Sequence, residues 1–282
     1  MRGRTHYAVA ARRPDGVIAV RRDALRSRVY TAGVWRRPFL RGIAGLYETV
    51  HLGLRALEWS ARVQLGEDAE IGRGAMRAAM ATSLVFALAL LIAAPLGLAQ
   101  LLHRTGPQSI TAVLVEGVIR GVLLIAYLML IGTLRNIHRV FQYHGAEHKT
   151  INCFESGAPL DVAHVRKASR LHPRCGTGFL LVVALLSVVV FIPLGLLPVP
   201  VRITAQIALV PVIASLAYEA IRGLTKIRWT RIGRVLLAPV LATQRLSTRE
   251  PDDSQIEVAM RAFDLVRGDE RSAGELSAVA LA

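Results

Sequence analysis

Residues 78–102 read AAMATSLVFALALLIAAPLGLAQLL and residues 175–201 read CGTGFLLVVALLSVVVFIPLGLLPVPV, and neither stretch contains a charged side chain. About 20 consecutive apolar residues are enough for a helix to cross the hydrocarbon core of a bilayer. Both stretches exceed that length, so they predict two membrane-spanning helices. A hydrophobic content of 53% over the whole chain also argues against an ordinary soluble globular protein.

Two further segments complete a four-span pattern. Residues 109–134 are apolar apart from Glu116 and Arg120, which are four residues apart and can pair on one helix face as an intramembrane ion pair. Residues 203–221 carry no charge before Glu219, and three prolines separate them from the preceding apolar stretch. A buried hairpin of a soluble protein is the alternative for the last two segments. The predicted spans are 78–102, 109–134, 177–198 and 202–221.

The distribution of positive charge predicts the topology. The formal net charge is +15, a value that often indicates nucleic-acid binding. Of the 35 lysines and arginines, however, 15 lie in residues 1–77, seven in residues 135–177 and ten after residue 221. Positive residues concentrate in the cytoplasmic segments of membrane proteins. This pattern therefore predicts a multi-pass protein of the inner or plasma membrane with both termini in the cytoplasm, in contact with membrane lipids and not with nucleic acid.

The N-terminal region, residues 1–77, is predicted to be cytosolic. Two alternating runs flank Pro14-Asp15-Gly16, a sequence typical of tight turns, and they predict a small β-hairpin over residues 6–22. Residues 39–65 place apolar side chains at helical spacing, with charged residues on the other side. This spacing predicts an amphipathic helix that lies on the membrane or against the bundle.

The four-span membrane domain, residues 78–222, is followed by a C-terminal region, residues 223–282. Its first part, residues 229–246, is apolar but too short to cross, and flanking arginines predict an interfacial helix. A capped amphipathic helix is predicted after Pro251, and small and polar residues from Arg267 onward predict a disordered tail. The predicted fold class is an all-α polytopic membrane protein with about four transmembrane helices, a small N-terminal β-hairpin and amphipathic interfacial helices.

The predicted cytosolic loop between the second and third spans, residues 135–176, concentrates the reactive side chains. It holds five of the eight histidines and both cysteines. Within it, His144-Gly145-Ala146-Glu147-His148 matches the H-x-x-E-H arrangement of inverted zinc hydrolases, in which two histidines hold the metal and the glutamate activates water. If the helix of the second span continues this far, His144 and His148 share one face. The alternative is a solvated polar turn after a helix end.

Other residues could complete such a site. His172 and Cys175 offer an imidazole and a thiolate, and both precede the third span, at the end where Glu219 of the fourth span is also predicted to lie. Glu219 could instead form a structural ion pair. Cys175 could be a small apolar residue at a helix start, or a nucleophile paired with His172 or His148. A disulfide between Cys153 and Cys175 is not expected in the cytosol.

The runs YAVAARRPDG (residues 7–16), YHGAEHKTINCFE (143–155), LHPRCGT (171–177) and TQRLSTREPDDSQIEVAM (243–260), with spans between them, resemble the YqhQ-like family of bacterial membrane proteins. The resemblance covers nearly the whole chain. It implies a metal-dependent enzyme, and the residues to which it assigns that activity are His144, Glu147, His148, His172 and Cys175. Families of this kind usually begin with a short glycine-rich leader, whereas this chain starts at Met1, so we expect a misassigned start codon or a dispensable leader.

The leading functional hypothesis is a zinc hydrolase that acts on a peptide or lipid at the cytosolic membrane interface. His144 and His148 would bind the metal, Glu147 would be the general base, and His172, Cys175 or Glu219 would complete the site. A second hypothesis is a non-catalytic membrane scaffold or regulator. A third is a small transporter that uses Glu116 and Glu219. Because four spans are few for a transporter, this hypothesis requires a homo-oligomer.

Overall fold

The structure is a computed structural model of the 282-residue chain. It describes residues 1–3, 6–25, 37–65, 72–102, 109–173 and 175–279.

Two strands precede a series of helices. The strands are β1 (His6–Arg12) and β2 (Ile18–Ala24). The first helices are α1 (Leu40–Leu65), α2 (Arg73–Leu88), a π-helical turn (Ala89–Ala93), α3 (Ala94–Leu102) and α4 (Ile110–Ile131). The remaining helices are α5 (Arg135–Glu155), α6 (Val162–Lys167), α7 (Gly176–Phe191), a 3₁₀ turn (Ile192–Leu196), α8 (Val199–Lys226), α9 (Arg231–Ser247) and α10 (Asp253–Val279).

Four helical segments among the described residues are long and apolar enough to cross a membrane. They are Gly74–Leu101, Ile110–Ile131, Gly176–Leu196 and Val199–Lys226. The prediction of a largely helical polytopic membrane protein with a small N-terminal hairpin is therefore confirmed. The last segment extends beyond the predicted residue 221, because a helix can continue past the apolar region once its charged side chains reach the polar boundary.

The spans alternate in direction. At one end of the bundle Gly195 lies against Ser109, so closely that an added Cβ would come within 3.1 Å of the Ser109 carbonyl oxygen. At the other end Gly178 packs equally closely against Val240. We call this second end, where α4 stops and α7 starts, the motif end, because it adjoins the histidine-rich segment.

The segment predicted as a loop between the second and third spans contains two helices, α5 and α6. Helix α5 does not continue the span, because the chain turns between Ile131 and Arg135. In this turn Gly132, Thr133 and Leu134 each donate a backbone hydrogen bond to the end of α4. His144 and His148 therefore lie on a separate helix at the motif end.

The C-terminal helix α10 packs against α5, and the N-terminal hairpin packs against α10 and α1. The turn at Pro14-Asp15-Gly16 closes with a hydrogen bond from Arg13 N to Val17 O (2.8 Å), and Gly16 adopts a positive φ of 88°. Arg12 binds Glu257 of α10 at 2.7 Å. A small apolar core unites α5, α6 and α10; its buried residues are Ala146, Cys153, Val165, Ile256 and Ala259.

Helix α10 extends to Val279, through the stretch from Arg267 for which the sequence predicts disorder. That prediction rests on the scarcity of large apolar residues. The same stretch contains two alanines, two glutamates and two arginines, residue types with high helix propensity. The last predicted tail residues, 280–282, lie outside the described residues.

The predicted intramembrane pair of Glu116 and Arg120 forms, at an N–O distance of 2.6 Å. Two residues of α8, Arg202 and Gln206, also donate hydrogen bonds to the Glu116 carboxylate. Glu116 is fully buried, and the three donors are at most 4% exposed. One carboxylate thus joins α4 to α8 inside the bundle.

Arg120 extends the same network to two more helical segments. Its Nε donates to Leu91 O (2.6 Å), which lies within the π-helical turn of the first span. A π-helical turn changes the backbone hydrogen-bond pattern, so a carbonyl can accept a bond from outside the helix. The Nη1 atom of Arg120 donates to Ser187 Oγ (2.9 Å) in α7. All four spans therefore meet at the Glu116 network.

We expect Glu116→Gln to lower the free energy of unfolding by about 3–5 kcal/mol, because it leaves buried guanidinium groups without their carboxylate. Glu58→Gln is the control: Glu58 pairs with Arg62 on the exposed face of α1, where an ion pair contributes at most about 1 kcal/mol. Thermal unfolding of the detergent-purified variants measures both. Equal melting temperatures for Glu116→Gln and the wild type would contradict a structural role for the network.

Candidate metal centre

Helix α5 carries the two histidines of the H-x-x-E-H motif on one face. Residues four apart in an α-helix lie one turn above each other. The ring centroids of His144 and His148 are 4.4 Å apart in an edge-to-face arrangement. His148 is buried, with 4% of its surface exposed, and His144 is half-buried.

Backbone carbonyls orient both imidazole rings. His144 Nδ1 lies 2.8 Å from Ser247 O, and His148 Nδ1 lies 2.6 Å from Arg170 O. A carbonyl oxygen can only accept, so Nδ1 carries a proton in both rings and Nε2 is the nitrogen left to bind a further proton or a metal ion. Metal-binding histidines in proteins commonly have this arrangement, in which the second nitrogen donates to a carbonyl or carboxylate.

Cys175 completes a group of three potential ligands. It is the N-cap of α7, and its sulfur accepts a hydrogen bond from Thr177 N at 3.4 Å. The sulfur lies 3.2 Å from His144 Nε2. One ligand atom from each of His144, His148 and Cys175 lies within 4.8 Å of the other two. We call these three residues the His–Cys cluster.

The cluster favours a thiolate. Burial raises the pKa of the Cys175 thiol, but hydrogen bonds and charge from His144 and His148 outweigh it and lower the pKa to about 5. Burial lowers the pKa of His144, yet the net shift is upward because Cys175, the Ser247 carbonyl and Glu147 all favour the imidazolium. A cation of either kind, a proton or a metal ion, is therefore stabilised between these side chains.

Helix α5 also holds the segment that leads to Cys175. Lys149 Nζ donates to the carbonyls of Arg166 (2.9 Å) and Ala168 (3.0 Å). Asn152 Nδ2 donates to the carbonyls of Ser169 (2.7 Å) and Leu171 (3.0 Å). With His148 on Arg170, three residues of one helix bind the carbonyls of residues 166, 168, 169, 170 and 171. The motif residues HKTIN therefore position the HPRCG run against α5.

Gly145 allows the chain after α9 to approach α5. A Cβ at this position would lie 2.1 Å from Arg249 O. In the native contact Arg249 N donates to Phe141 O at 2.9 Å. Ser247, which accepts the His144 hydrogen bond, is two residues before Arg249. The glycine inside the motif is therefore required by close backbone packing next to the cluster.

His172 lies beside the cluster but is directed elsewhere. Its ring centroid is 5.9 Å from that of His148, and its Nε2 is 3.6 Å from Glu155 Oε1. Gln244 of α9 binds both backbone groups of His172, accepting from its N–H and donating to its C=O, each at 2.8 Å. Arg174, in the same run, lies outside the described residues.

The other predicted site residues have different surroundings. The structure does not bring Glu219 to the cluster, because its carboxylate accepts hydrogen bonds from Arg41 and from Phe39 N at the start of α1. The ion pair, which was the alternative for this residue, is the observed arrangement. Glu147 is half-buried, and its negative charge contributes to the raised pKa of His144. Among the described residues, no side chain binds its carboxylate.

Sequence reasoning missed the residues that orient the cluster. Ser247 and Arg170 act through backbone carbonyls, which carry no signal in the sequence. Gln244 lies in TQRLSTRE, a run that supports the family resemblance but has no recognisable chemistry by itself. A glutamine on the apolar side of an amphipathic helix was the available signal, since a buried amide requires hydrogen-bond partners.

Taken together, the fold and the cluster define the class of this protein: a four-span membrane protein with two histidines and a cysteine grouped at one end of its bundle. The chain belongs to the family described as a protein of unknown function (DUF1385), whose model matches residues 37–269. All three cluster residues lie inside that match.

The chain is also 32% identical over 276 residues to a protein described as uncharacterized protein YqhQ of Bacillus subtilis (strain 168). This alignment covers 93% of the present chain and 87% of the relative. No solved structure matches the chain.

In the metal-free protein we expect Cys175 to titrate with a midpoint near pH 5, because its histidine neighbours stabilise the thiolate. Ultraviolet absorbance of the thiolate measures this in Cys153→Ala, which leaves Cys175 as the single thiol. His144→Ala in that background should move the midpoint up toward the value of about 8.5 for a free cysteine.

Cys153 provides the matched control, because burial raises the pKa of its thiol above the ordinary value for cysteine. A Cys175→Ala protein should therefore give no thiolate absorbance until alkaline pH. A midpoint near 8.5 in Cys153→Ala would contradict the cluster geometry.

We expect Gly145→Ala to destabilise the protein by about 1–3 kcal/mol, because the added methyl group overlaps Arg249 O. Gly121→Ala is the control: no atom lies within 4 Å of the added carbon, and removing a helical glycine gains about 0.5–1 kcal/mol. Thermal unfolding in detergent compares the two. Equal behaviour of both variants would refute the close contact at Gly145.

Proposed function

We propose that the protein is a divalent-metal-dependent hydrolase, with zinc as the metal, and that it acts at the cytosolic surface of the membrane. The observation that carries this proposal is the orientation of the two histidines. Both Nδ1 atoms are occupied by backbone carbonyls, so both Nε2 lone pairs are available beside the Cys175 sulfur.

The donor set fits zinc better than the harder cations. Imidazole nitrogen and thiolate sulfur are typical zinc ligands, whereas magnesium and calcium prefer oxygen. Ligand atoms around a tetrahedral zinc ion are roughly 3.5 Å apart, given metal–ligand distances of about 2.0–2.3 Å. The distance of 3.2 Å between Cys175 Sγ and His144 Nε2 agrees with this spacing. Three protein ligands are also the usual number in catalytic zinc sites, which leave one position for water or substrate.

The low pKa of the Cys175 thiol also supports metal binding. A thiol must lose its proton before it binds a metal, so affinity falls at low pH. With a pKa of about 5, Cys175 is already deprotonated at neutral pH. A bound zinc ion would supply Lewis acidity to a carbonyl or phosphoryl group of the substrate.

Glu147 is our candidate for the general base. It precedes His148 and follows His144 by three residues, so it lies on the edge of the same helix face. Its carboxylate is half-buried and is bound by no other described side chain. A carboxylate in this position can accept a proton from a water molecule beside the cluster. His172 and Glu155 form a neighbouring pair that could hold a ligand or receive a proton.

The charge distribution supports the cytosolic placement of the site. The motif end of the bundle adjoins residues 1–77, residues 135–177 and the segment after residue 221, which together hold most of the positive charge. By the positive-inside rule this end faces the cytoplasm, with both termini. A cluster one residue before a span lies close to the headgroup region, which favours a membrane-borne peptide or lipid as the substrate.

The first test is the metal content of the detergent-purified protein. We expect about one zinc ion per chain in the wild type and almost none in His144→Ala/His148→Ala. His164→Ala is the matched control: it is an exposed histidine that pairs with Asp161 and should leave the zinc content unchanged. A folded wild type that contains no zinc and takes up none on dialysis would refute the proposal.

The catalytic part of the proposal is tested by Glu147→Gln. We expect this variant to keep its zinc and to lose hydrolysis of peptide and lipid ester substrates presented in vesicles. A Glu147→Gln protein with wild-type activity would exclude Glu147 as the general base. Zinc in the wild type without any hydrolysis would favour the scaffold or regulator hypothesis, with a structural metal.

A further inference from the structure

A polar cavity lies on the side of α5 away from the His–Cys cluster. Its volume is about 440 Å³, and α5 contributes Arg135, Asn136, His138 and Arg139 to its wall. The start of α10 forms the other side. We call this cavity the basic pocket.

The basic pocket is separate from the candidate metal centre. Gln142 lines the pocket and binds Gln255 of α10 at 3.2 Å. In a helix of 3.6 residues per turn, residues two apart point to nearly opposite sides. His144, two residues after Gln142, is directed to Ser247 instead. Binding of a ligand in the basic pocket is therefore independent of metal binding at the His–Cys cluster.

The charge at the start of α5 is positive. Acidic residues are favoured in the first turn of a helix, where the macrodipole is positive. Helix α5 has no acidic residue there and no side-chain cap on its first amides. Instead, Arg135 and Arg139 add positive charge to the same end. Among the described residues, neither arginine forms an ion pair with a carboxylate.

Asp252 is the acidic residue in the pocket wall, and its carboxylate is engaged locally. Its Oδ1 accepts hydrogen bonds from Gln255 N (2.9 Å) and Ser254 Oγ (2.7 Å) at the start of α10. Arg139 is near enough to influence Asp252 electrostatically and also lies over the Tyr143 ring at 5.9 Å. The pocket wall combines one carboxylate with two guanidinium groups at a helix N-terminus, so the pocket favours an additional anion.

The position of the pocket indicates where that anion comes from. Helix α5 begins four residues after Ile131, the last residue of a span, so Arg135 lies at the boundary of the bilayer. Phospholipid headgroups occupy this depth. Arginines beside a span are a common means of binding anionic lipid headgroups.

We propose that the basic pocket binds the headgroup phosphate of one anionic phospholipid, with Arg135 and Arg139 as its cationic ligands and the first amides of α5 as hydrogen-bond donors. The occupant is a membrane lipid and not a soluble phosphate compound. The lipid would fix the angle between the second span and α5, since the pocket lies directly after the turn that joins them.

Native mass spectrometry of the detergent-solubilised protein tests the proposal. With equal amounts of phosphatidylglycerol and phosphatidylcholine, we expect one phosphatidylglycerol per chain to be retained in preference. Arg135→Gln/Arg139→Gln should weaken that binding by about tenfold or more, because each arginine near an anionic membrane surface contributes about 1 kcal/mol and about 1.4 kcal/mol corresponds to tenfold. The control is Arg231→Gln/Arg234→Gln, which removes two exposed arginines from α9 and should retain the lipid.

Three outcomes would overturn the proposal. The first is equal retention of phosphatidylglycerol by the pocket variant and the wild type. The second is loss of the lipid from the α9 variant to the same extent. The third is displacement of the lipid by inorganic phosphate at millimolar concentration, which would make soluble phosphate the ligand. If the pocket variant has the same thermal unfolding and zinc content as the wild type, its loss of lipid binding comes from the pocket and not from a disrupted fold.

Discussion

The hydrogen bonds from α5 to the backbone of residues 166–171 are the interaction on which the candidate site depends. A typical intramolecular hydrogen bond contributes about 0.5–1.5 kcal/mol to stability. His148, Lys149 and Asn152 supply donors to five carbonyls, from the end of α6 into the chain that follows it. These bonds determine where the chain re-enters the bundle, and therefore where Cys175 lies relative to the histidines.

A second set of contacts joins this layer to the membrane bundle. Helix α9 packs against α7 through Gly178 and Val240. It also supplies Ser247 O to His144 and the Gln244 amide to the backbone of His172. The ligands of the His–Cys cluster thus come from two layers, α5 on one side and the start of a span on the other. Any movement of α9 relative to the bundle would change the orientation of His144.

The Glu116 network and the His–Cys cluster differ in a way that separates a structural role from a chemical one. At the Glu116 network, donors from α4 and α8 surround one carboxylate, and Arg120 continues to the other two spans. Such a group holds helices together, because every change of protonation or position disrupts several bonds. In the His–Cys cluster the outer nitrogens are bonded, but the inner lone pairs and the thiolate face one another. That arrangement is stable only with a cation between them.

The sequence by itself determined the membrane class, the four spans, the hairpin and the concentration of reactive residues in one segment. Those features follow from local composition and periodicity, which act over a few residues. It also identified His144, His148 and Cys175 as ligand types, but it could not distinguish them from His172 or Glu219.

Only the tertiary structure decided that Arg41 binds the Glu219 carboxylate and that Glu155 lies beside His172. It also placed Arg202 and Gln206 on Glu116. The physical reason is that such pairings join residues distant in the chain, and several of them are made through backbone carbonyls, which every residue possesses and no sequence pattern marks.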